Sequence, residues 1–217
     1  MPNPDALLAP EITVVILAGG RGARMGGVDK GLQLFQGRTL VENAMSRLRA
    51  QSPPAPSEVL INANRNAEVY ARLEARVVSD ADPDFSGPLA GFLAALVGCT
   101  SPYLLTVPCD VPKFPLDLCA RMWAALRAQG AEIAVAYAPE TDGLGAVTLR
   151  SQPVFCLMQA ELGGSLHRYM AEGGRKIDTW IGSLHSVRVA FDKAGDDPQA
   201  FANANTLVEL ARLNTAF

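Results

Sequence analysis

The chain lacks any run of about 18 apolar residues, which excludes a long membrane-spanning helix. It also lacks a surplus of positive charge: 19 lysines and arginines stand against 22 aspartates and glutamates, a net charge of -3. Proteins that coat nucleic acid carry a clustered basic excess, so that partner class is excluded as well. Histidine is scarce. His167 and His185 lie near no recognisable motif and read as structural residues rather than acid-base catalysts. Cys99, Cys109, Cys119 and Cys156 form no C-x-x-C pair and have no histidine at ligand spacing, so they read as small buried hydrophobes in a reducing compartment. No basic residue precedes the first apolar segment, which makes that segment a strand rather than a signal peptide. These absences predict a soluble, cytoplasmic protein, and 217 residues suffice for one domain around one core.

What is present is concentrated near the start. The apolar run Ile12 to Leu17 empties into Ala18-Gly19-Gly20-Arg21-Gly22-Ala23-Arg24-Met25-Gly26-Gly27-Val28-Asp29-Lys30. A buried strand followed by five glycines, two arginines and a lysine brings backbone amides and fixed positive charge to one place, the design of a polyphosphate cradle. Two common glycine motifs fail on spacing. A dinucleotide fingerprint needs G-x-G-x-x-G and an acidic residue ending the second strand; here Met25 follows, and that strand ends in Asn62. A P-loop needs lysine directly after glycine and a hydroxyl after that; Lys30 lies between Asp29 and Gly31. The spacing L-A-G-G-x-G-x-R-M-G-x-x-K is instead similar to the signature of nucleotidyltransferases that activate sugars, isoprenoid precursors and pterins.

The rest of the chain alternates strand and helix signals. Thr39 and Glu42 form a capping box for a helix reaching about Gln51, and the proline-rich segment from Ser52 to Pro56 ends it. Strands are predicted at Glu58 to Asn62, Ala75 to Ser79, Tyr103 to Val107, Glu132 to Tyr137, Ala146 to Leu149 and Val187 to Phe191. Helices are predicted near Ala67 to Leu73, from Pro88 through the Leu89, Phe92, Leu93 and Leu96 face, after Pro115, at Val154 to Glu161, at Ser165 to Glu172, and from about Thr206. This order implies a three-layer α/β/α sandwich with a Rossmann-like, mostly parallel sheet whose ligand sits at the carboxyl ends of the strands. The glycine loop, Asn62, Asp80 and Asp110 all fall at such ends.

The glycine loop, together with Asn62-Ala63-Asn64-Arg65, Gly87-Pro88-Leu89-Ala90-Gly91, Pro108-Cys109-Asp110-Val111-Pro112 and Asn203-Ala204-Asn205-Thr206, resembles the molybdenum cofactor guanylyltransferases. The resemblance runs from about residue 12 to 213 and implies the nucleotidyltransferase type of fold. It assigns about 12–110 to nucleotide binding and about 111–217 to the acceptor. Members of that family transfer GMP from GTP to the terminal phosphate of molybdopterin and release pyrophosphate.

By this resemblance, Leu17, Ala18, Gly19, Gly20 and Gly22 receive the nucleotide with their backbone, where a Cβ would obstruct a close approach. Arg24 and Lys30 hold phosphate oxygens. Asp110, stiffened by Pro108 and Pro112, ligates Mg²⁺, a hard cation that bridges substrate phosphates, with Asn205 as second ligand and Asn203 beside it. Asn62 and Asp80 meet the base, and a carboxylate can accept from guanine N1 and N2. The catalytic set is Arg24, Lys30 and Asp110. Partners implied are GTP, molybdopterin, and the machinery or molybdoenzymes that receive the product. Departures from the family pattern lie at Asp142 to Ala146 and at Leu207-Val208-Glu209, on the acceptor side. Transfer of CMP to the same pterin, an NTP reaction on a sugar phosphate, and a non-catalytic nucleotide-binding regulator stay open at this point.

Overall fold

The computed structural model describes residues 10–19, 28–80, 87–141, 143, 145–204, 206 and 208–211. Its first strand, β1 (Ile12–Leu17), is buried on both faces because it lies inside a parallel sheet. A small hairpin, β2 (Leu34–Phe35) and β3 (Arg38–Thr39), leads into α1 (Leu40–Arg49). The Thr39 and Glu42 capping box forms, with Thr39 N donating to Glu42 Oε2 at 2.8 Å and Glu42 N donating to Thr39 Oγ1 at 3.3 Å. Then come β4 (Glu58–Asn62), α2 (Ala67–Tyr70), β5 (Arg76–Val78), α3 (Pro88–Gly98) and β6 (Tyr103–Pro108). The second half runs α4 (Leu118–Gln129), β7 (Ile133–Thr141), β8 (Val147–Gln159), α5 (Gly163–Ala171), α6 (Ile177–Ile181) and β9 (Ser186–Ala190).

Among the described residues the main sheet has seven strands in the order β5-β4-β1-β6-β8-β7-β9, all parallel except β8. Alternate side chains of β1 serve two cores. Ile12, Val14 and Ile16 pack with Val41, Met45 and Leu48 of α1 and Leu118, Met122 and Leu126 of α4. Val15 packs on the other face with Leu89, Phe92 and Leu96 of α3, Leu166 of α5 and Trp180 of α6. These are the three layers that the strand and helix alternation predicts.

One predicted helix is a strand. The segment Val154 to Glu161 reads as helical from its length and apolar content, yet β8 continues through it to Gln159. Phe155 and Leu157 enter one core while Cys156 and Met158 enter the other. A strand covered on both faces loses its alternation, and such a run cannot be told from a buried helix by period alone. The hairpin and α6 carry no sequence signal strong enough to predict them.

The topology fixes where a ligand can sit. Strand order turns back at β1, and Leu17 pairs with Asn62 on one side and with Pro108 on the other. Three strands therefore end level, at the crevice where open α/β sheets bind ligands.

Candidate active site

A cleft of about 400 Å³ opens at these strand ends, lined by Leu17, Ala18, Gly19, Lys30, Asn62, Pro108, Cys109, Asp110 and Asn203, with Gly87, Pro88 and Gly91 of the α3 end opposite. The strand ladder continues past β1: Ala18 N donates to Asn62 O at 2.9 Å and Cys109 N donates to Leu17 O at 3.2 Å. Leu17, Ala18, Gly19, Lys30, Asn62, Asp110 and Asn203 thus lie together as the sequence predicts. Gly20, Gly22, Arg24 and Asn205 lie outside the described residues.

Lys30 donates from Nζ to Asp110 Oδ2, across 80 residues of chain. Both side chains are largely withdrawn from solvent, at 20% and 16% exposure, so the pair is less screened than a surface salt bridge. Asp110 is itself held by its neighbours. Its carbonyl accepts from Ala204 N at 2.8 Å, which fastens the late Asn203 loop beside it. Asn43 Nδ2 holds the following Pro112 carbonyl at 2.8 Å, and Arg47 Nε holds Phe114 O at 2.7 Å, so α1 anchors the loop beyond the carboxylate. Cys109 is buried next to it. Burial above all, then the Asp110 charge, pushes its thiol well above the usual range, so it stays protonated and supplies no nucleophile.

Lys30 follows a residue gripped from several sides. Asp29 caps a short 3₁₀ turn over Lys30–Leu32 by accepting from Gly31 N at 3.1 Å. Its carboxylate also accepts from Tyr70 Oη at 2.5 Å and from Asn66 Nδ2 at 2.9 Å. Tyr70 is fully buried, and burial together with the Asp29 hydrogen bond raises its pKa, so the hydroxyl remains a donor. Gly31 admits this packing because a Cβ there would come within 2.5 Å of Tyr70 Oη. The sequence gives no sign of Tyr70, since it lies in a short helix far from any motif.

A second network lies at the end of β4. Asn62 Nδ2 donates to Asp80 Oδ1 at 2.9 Å and to Val78 O at 3.4 Å. Asn64 Nδ2 donates to Asp80 Oδ2 at 2.7 Å, and its Oδ1 accepts from Asp80 N at 2.8 Å. With its amide nitrogen committed, Asn62 turns Oδ1 toward Gly19 and Gly91. A Cβ at Gly91 would lie 2.6 Å from that oxygen, and one at Gly19 would lie 2.9 Å from it. Asn62 is the residue of this network that lines the cleft; Asp80 stands behind it, holding its orientation.

The far wall comes from β8. Val135 pairs with Cys156 but Ala136 pairs with Gln152, so Pro153, Val154 and Phe155 form a bulge in the ladder. All three line the cleft. Proline suits such a point because it has no N–H to leave unpaired. Thr106 secures the bulge, donating to Val154 O at 2.6 Å and accepting from Cys156 N at 3.2 Å. Reading this segment as a helix hides the wall it forms.

The chain has counterparts among known proteins. Residues 14–194 match the family described as the MobA-like NTP transferase domain. The chain belongs to that family. It is 54% identical over 206 residues to the molybdenum cofactor guanylyltransferase of Albidiferax ferrireducens, covering 94% of this chain and 96% of that one. Against the Bordetella pertussis protein of the same name the identity is 48% over 205 residues, with 94% and 98% covered. Among solved structures, the molybdopterin-guanine dinucleotide biosynthesis protein A of Archaeoglobus fulgidus superposes with a TM-score of 0.72 at 20% identity, covering 93% of this chain and 96% of that chain. The 4-diphosphocytidyl-2C-methyl-D-erythritol synthase of Anaerococcus prevotii follows at 0.70 and 13%, with 94% and 97% covered. These two likenesses concern the fold. The described residues of this MobA-like transferase contain no helix long and apolar enough to cross a membrane.

Proposed function

We propose that this protein transfers GMP from GTP to the terminal phosphate of molybdopterin, forming the guanine dinucleotide form of the cofactor and pyrophosphate. The observation that carries the reading is the meeting of Lys30, Asp110 and the Asn203 loop at the end of β1 and β6, in a chain about half identical to guanylyltransferases over nearly its full length.

No protein nucleophile is needed. A phosphate oxygen of the acceptor attacks the α-phosphorus of GTP, the bond from that phosphorus to the β-phosphate bridging oxygen breaks, and pyrophosphate leaves with the electron pair. The protein's part is positioning and charge neutralisation. Lys30 supplies a fixed positive charge at the phosphates. Asn62 presents Oδ1 as an acceptor for the donor edge of guanine, and Asp80 keeps that amide from turning over.

Asp110 suits Mg²⁺, which binds through one or two carboxylates and keeps its remaining positions for water and substrate phosphate. Its carboxylate borders the cleft, and its backbone is fixed by Ala204. The ion, when bound, would stabilise negative charge on the reacting phosphates. Asn205 is the second proposed ligand, and Gly20, Gly22 and Arg24 complete the proposed phosphate cradle.

Incubation with molybdopterin, Mg²⁺ and each nucleoside triphosphate in turn, followed by mass analysis, tests nucleotide and acceptor together. The guanine dinucleotide should form with GTP; a cytidine product or none would overturn the reading.

A further inference from the structure

A second cavity, of about 430 Å³, lies beside the nucleotide cleft, and the two share Gln152 and Asn203 as a common wall. An enzyme that joins two substrates needs pockets that meet where the bond forms. Ala138, Pro139 and Phe201 supply the apolar part of the second cavity's lining. Also on that lining, Gln152 Nε2 donates to Glu140 Oε1 at 2.8 Å. In register, Gln152 lies opposite Ala136 and Glu140 opposite Thr148, so Ala138 falls between them, and its small side chain leaves the space open. Glu140 Oε2 has no hydrogen bond among the described residues.

We infer that this cavity holds the ring system of the acceptor, with Glu140, oriented by Gln152, accepting hydrogen bonds from the 2-amino group and N3–H of the pterin. The inference rests on the guanylyltransferase reading and names the residues that would select its second substrate. A pterin has two flat ring faces that can stack on apolar side chains and one edge with two adjacent donors. Apolar lining from Ala138, Pro139 and Phe201 with a carboxylate beside it matches both, and paired donors suit the two oxygens of one carboxylate. Charge sets the direction. Glu140 and Glu209 line this cavity, whereas in the other Lys30 offsets Asp110, so an anionic phosphate is repelled here and better accepted across Gln152 and Asn203.

The test fills the nucleotide cleft of the full-length protein with a non-hydrolysable GTP analogue and titrates two fluorescent probes. One is 6-hydroxymethylpterin, which has the donor edge and no phosphate. The other is 6-hydroxymethyllumazine, in which an oxygen replaces the 2-amino group. The pterin should bind at least about tenfold more tightly than the lumazine, since a site built around hydrogen-bond donors rejects analogues that lack them. Glu140→Gln should weaken pterin binding about tenfold, remove the discrimination and leave affinity for the GTP analogue unchanged. In turnover the same variant should raise KM for molybdopterin and not for GTP. Equal binding of the two probes by the unmodified protein, or an unaltered Glu140→Gln variant that still makes the dinucleotide, overturns the acceptor assignment alone. Failure of the unmodified protein to bind the GTP analogue overturns the functional reading and this inference together.

Discussion

The Tyr70 hydroxyl donates to the Asp29 carboxylate at 2.5 Å, one residue before the lysine that reaches Asp110. Tyr70 touches none of the cleft and acts on Lys30 through the turn that Asp29 caps. Tyr70→Phe keeps the buried ring and removes only the donor. Its loss should cost about 1–2 kcal/mol of stability, the range for a hydrogen bond to a charged group that keeps other partners. It should also lower kcat/KM for GTP about tenfold, because a phosphate-binding charge displaced by a fraction of an ångström forfeits much of its effect. Urea denaturation and steady-state kinetics measure the two separately. A destabilised variant with unchanged kinetics would make Tyr70 a core residue only.

Asp80 tests base selection. Its carboxylate accepts from two asparagine amides at once, Asn62 on Oδ1 and Asn64 on Oδ2. Asp80→Asn leaves a single side-chain acceptor for those two donors, so the Asn62 amide is free to turn over and present a donor to the cleft. Preference for GTP over ATP should then fall at least about tenfold, since recognition of a hydrogen-bonding edge depends on the site's groups being complementary to it. Competition of the two nucleotides in one assay reads this directly, and an unchanged ratio would remove Asp80 from the recognition network.

Asp110→Ala should abolish guanylyl transfer, with a loss of at least about 10² to 10³ in rate, the usual consequence of removing one charged group from an electrostatic site. The fold should survive, because the contact that fastens the late loop is made by the Asp110 carbonyl rather than its side chain. Circular dichroism together with turnover in excess Mg²⁺ checks both halves, and near-normal turnover would contradict the assignment.

Asp196 accepts from Arg121 at 2.8 Å, and Arg121 also lies over the Phe191 ring and donates to Ala190 O, joining α4 to the end of β9. The Arg121 hydrogen bond, opposed by desolvation and aided by the Lys193 amide, holds the Asp196 carboxyl below its ordinary value of 3.8. The folded state therefore binds this proton less readily than the unfolded chain. The pair's stabilisation is complete above pH 4 and is lost as pH falls from there through the depressed value. Asp196→Asn should lower stability at neutral pH and flatten its decline below about pH 4, as measured by denaturant unfolding across that range. Parallel curves for the two proteins would deny the pair this role.

Much of the cleft at the strand ends is legible in the sequence. Ile12 to Leu17 is almost continuously apolar, the glycines follow Ala18, Asn62 ends a strand with a clear pattern, and Asp110 follows another. Local chemistry of that kind survives folding because a strand end, a cap or a turn is decided by its own residues. The Thr39 and Glu42 capping box and the proline start of α3 both form for this reason. The acceptor side is less legible. Gln152 and the Pro153 to Phe155 bulge sit in a run whose period is erased by burial on both faces, so neither strand nor bulge can be read from it.

By itself the sequence determined the alternation of strands and helices, the residues that stand at the strand ends, and the family's order of motifs. Only the tertiary structure decided which of these touch. It set Lys30 against Asp110, put Tyr70 behind Asp29, placed Asp80 behind Asn62 and brought Glu140 and Gln152 together on the lining of a second cavity. The physical reason is distance along the chain: Lys30 and Asp110 are 80 residues apart, and nothing local constrains such a pair until the sheet closes around β1.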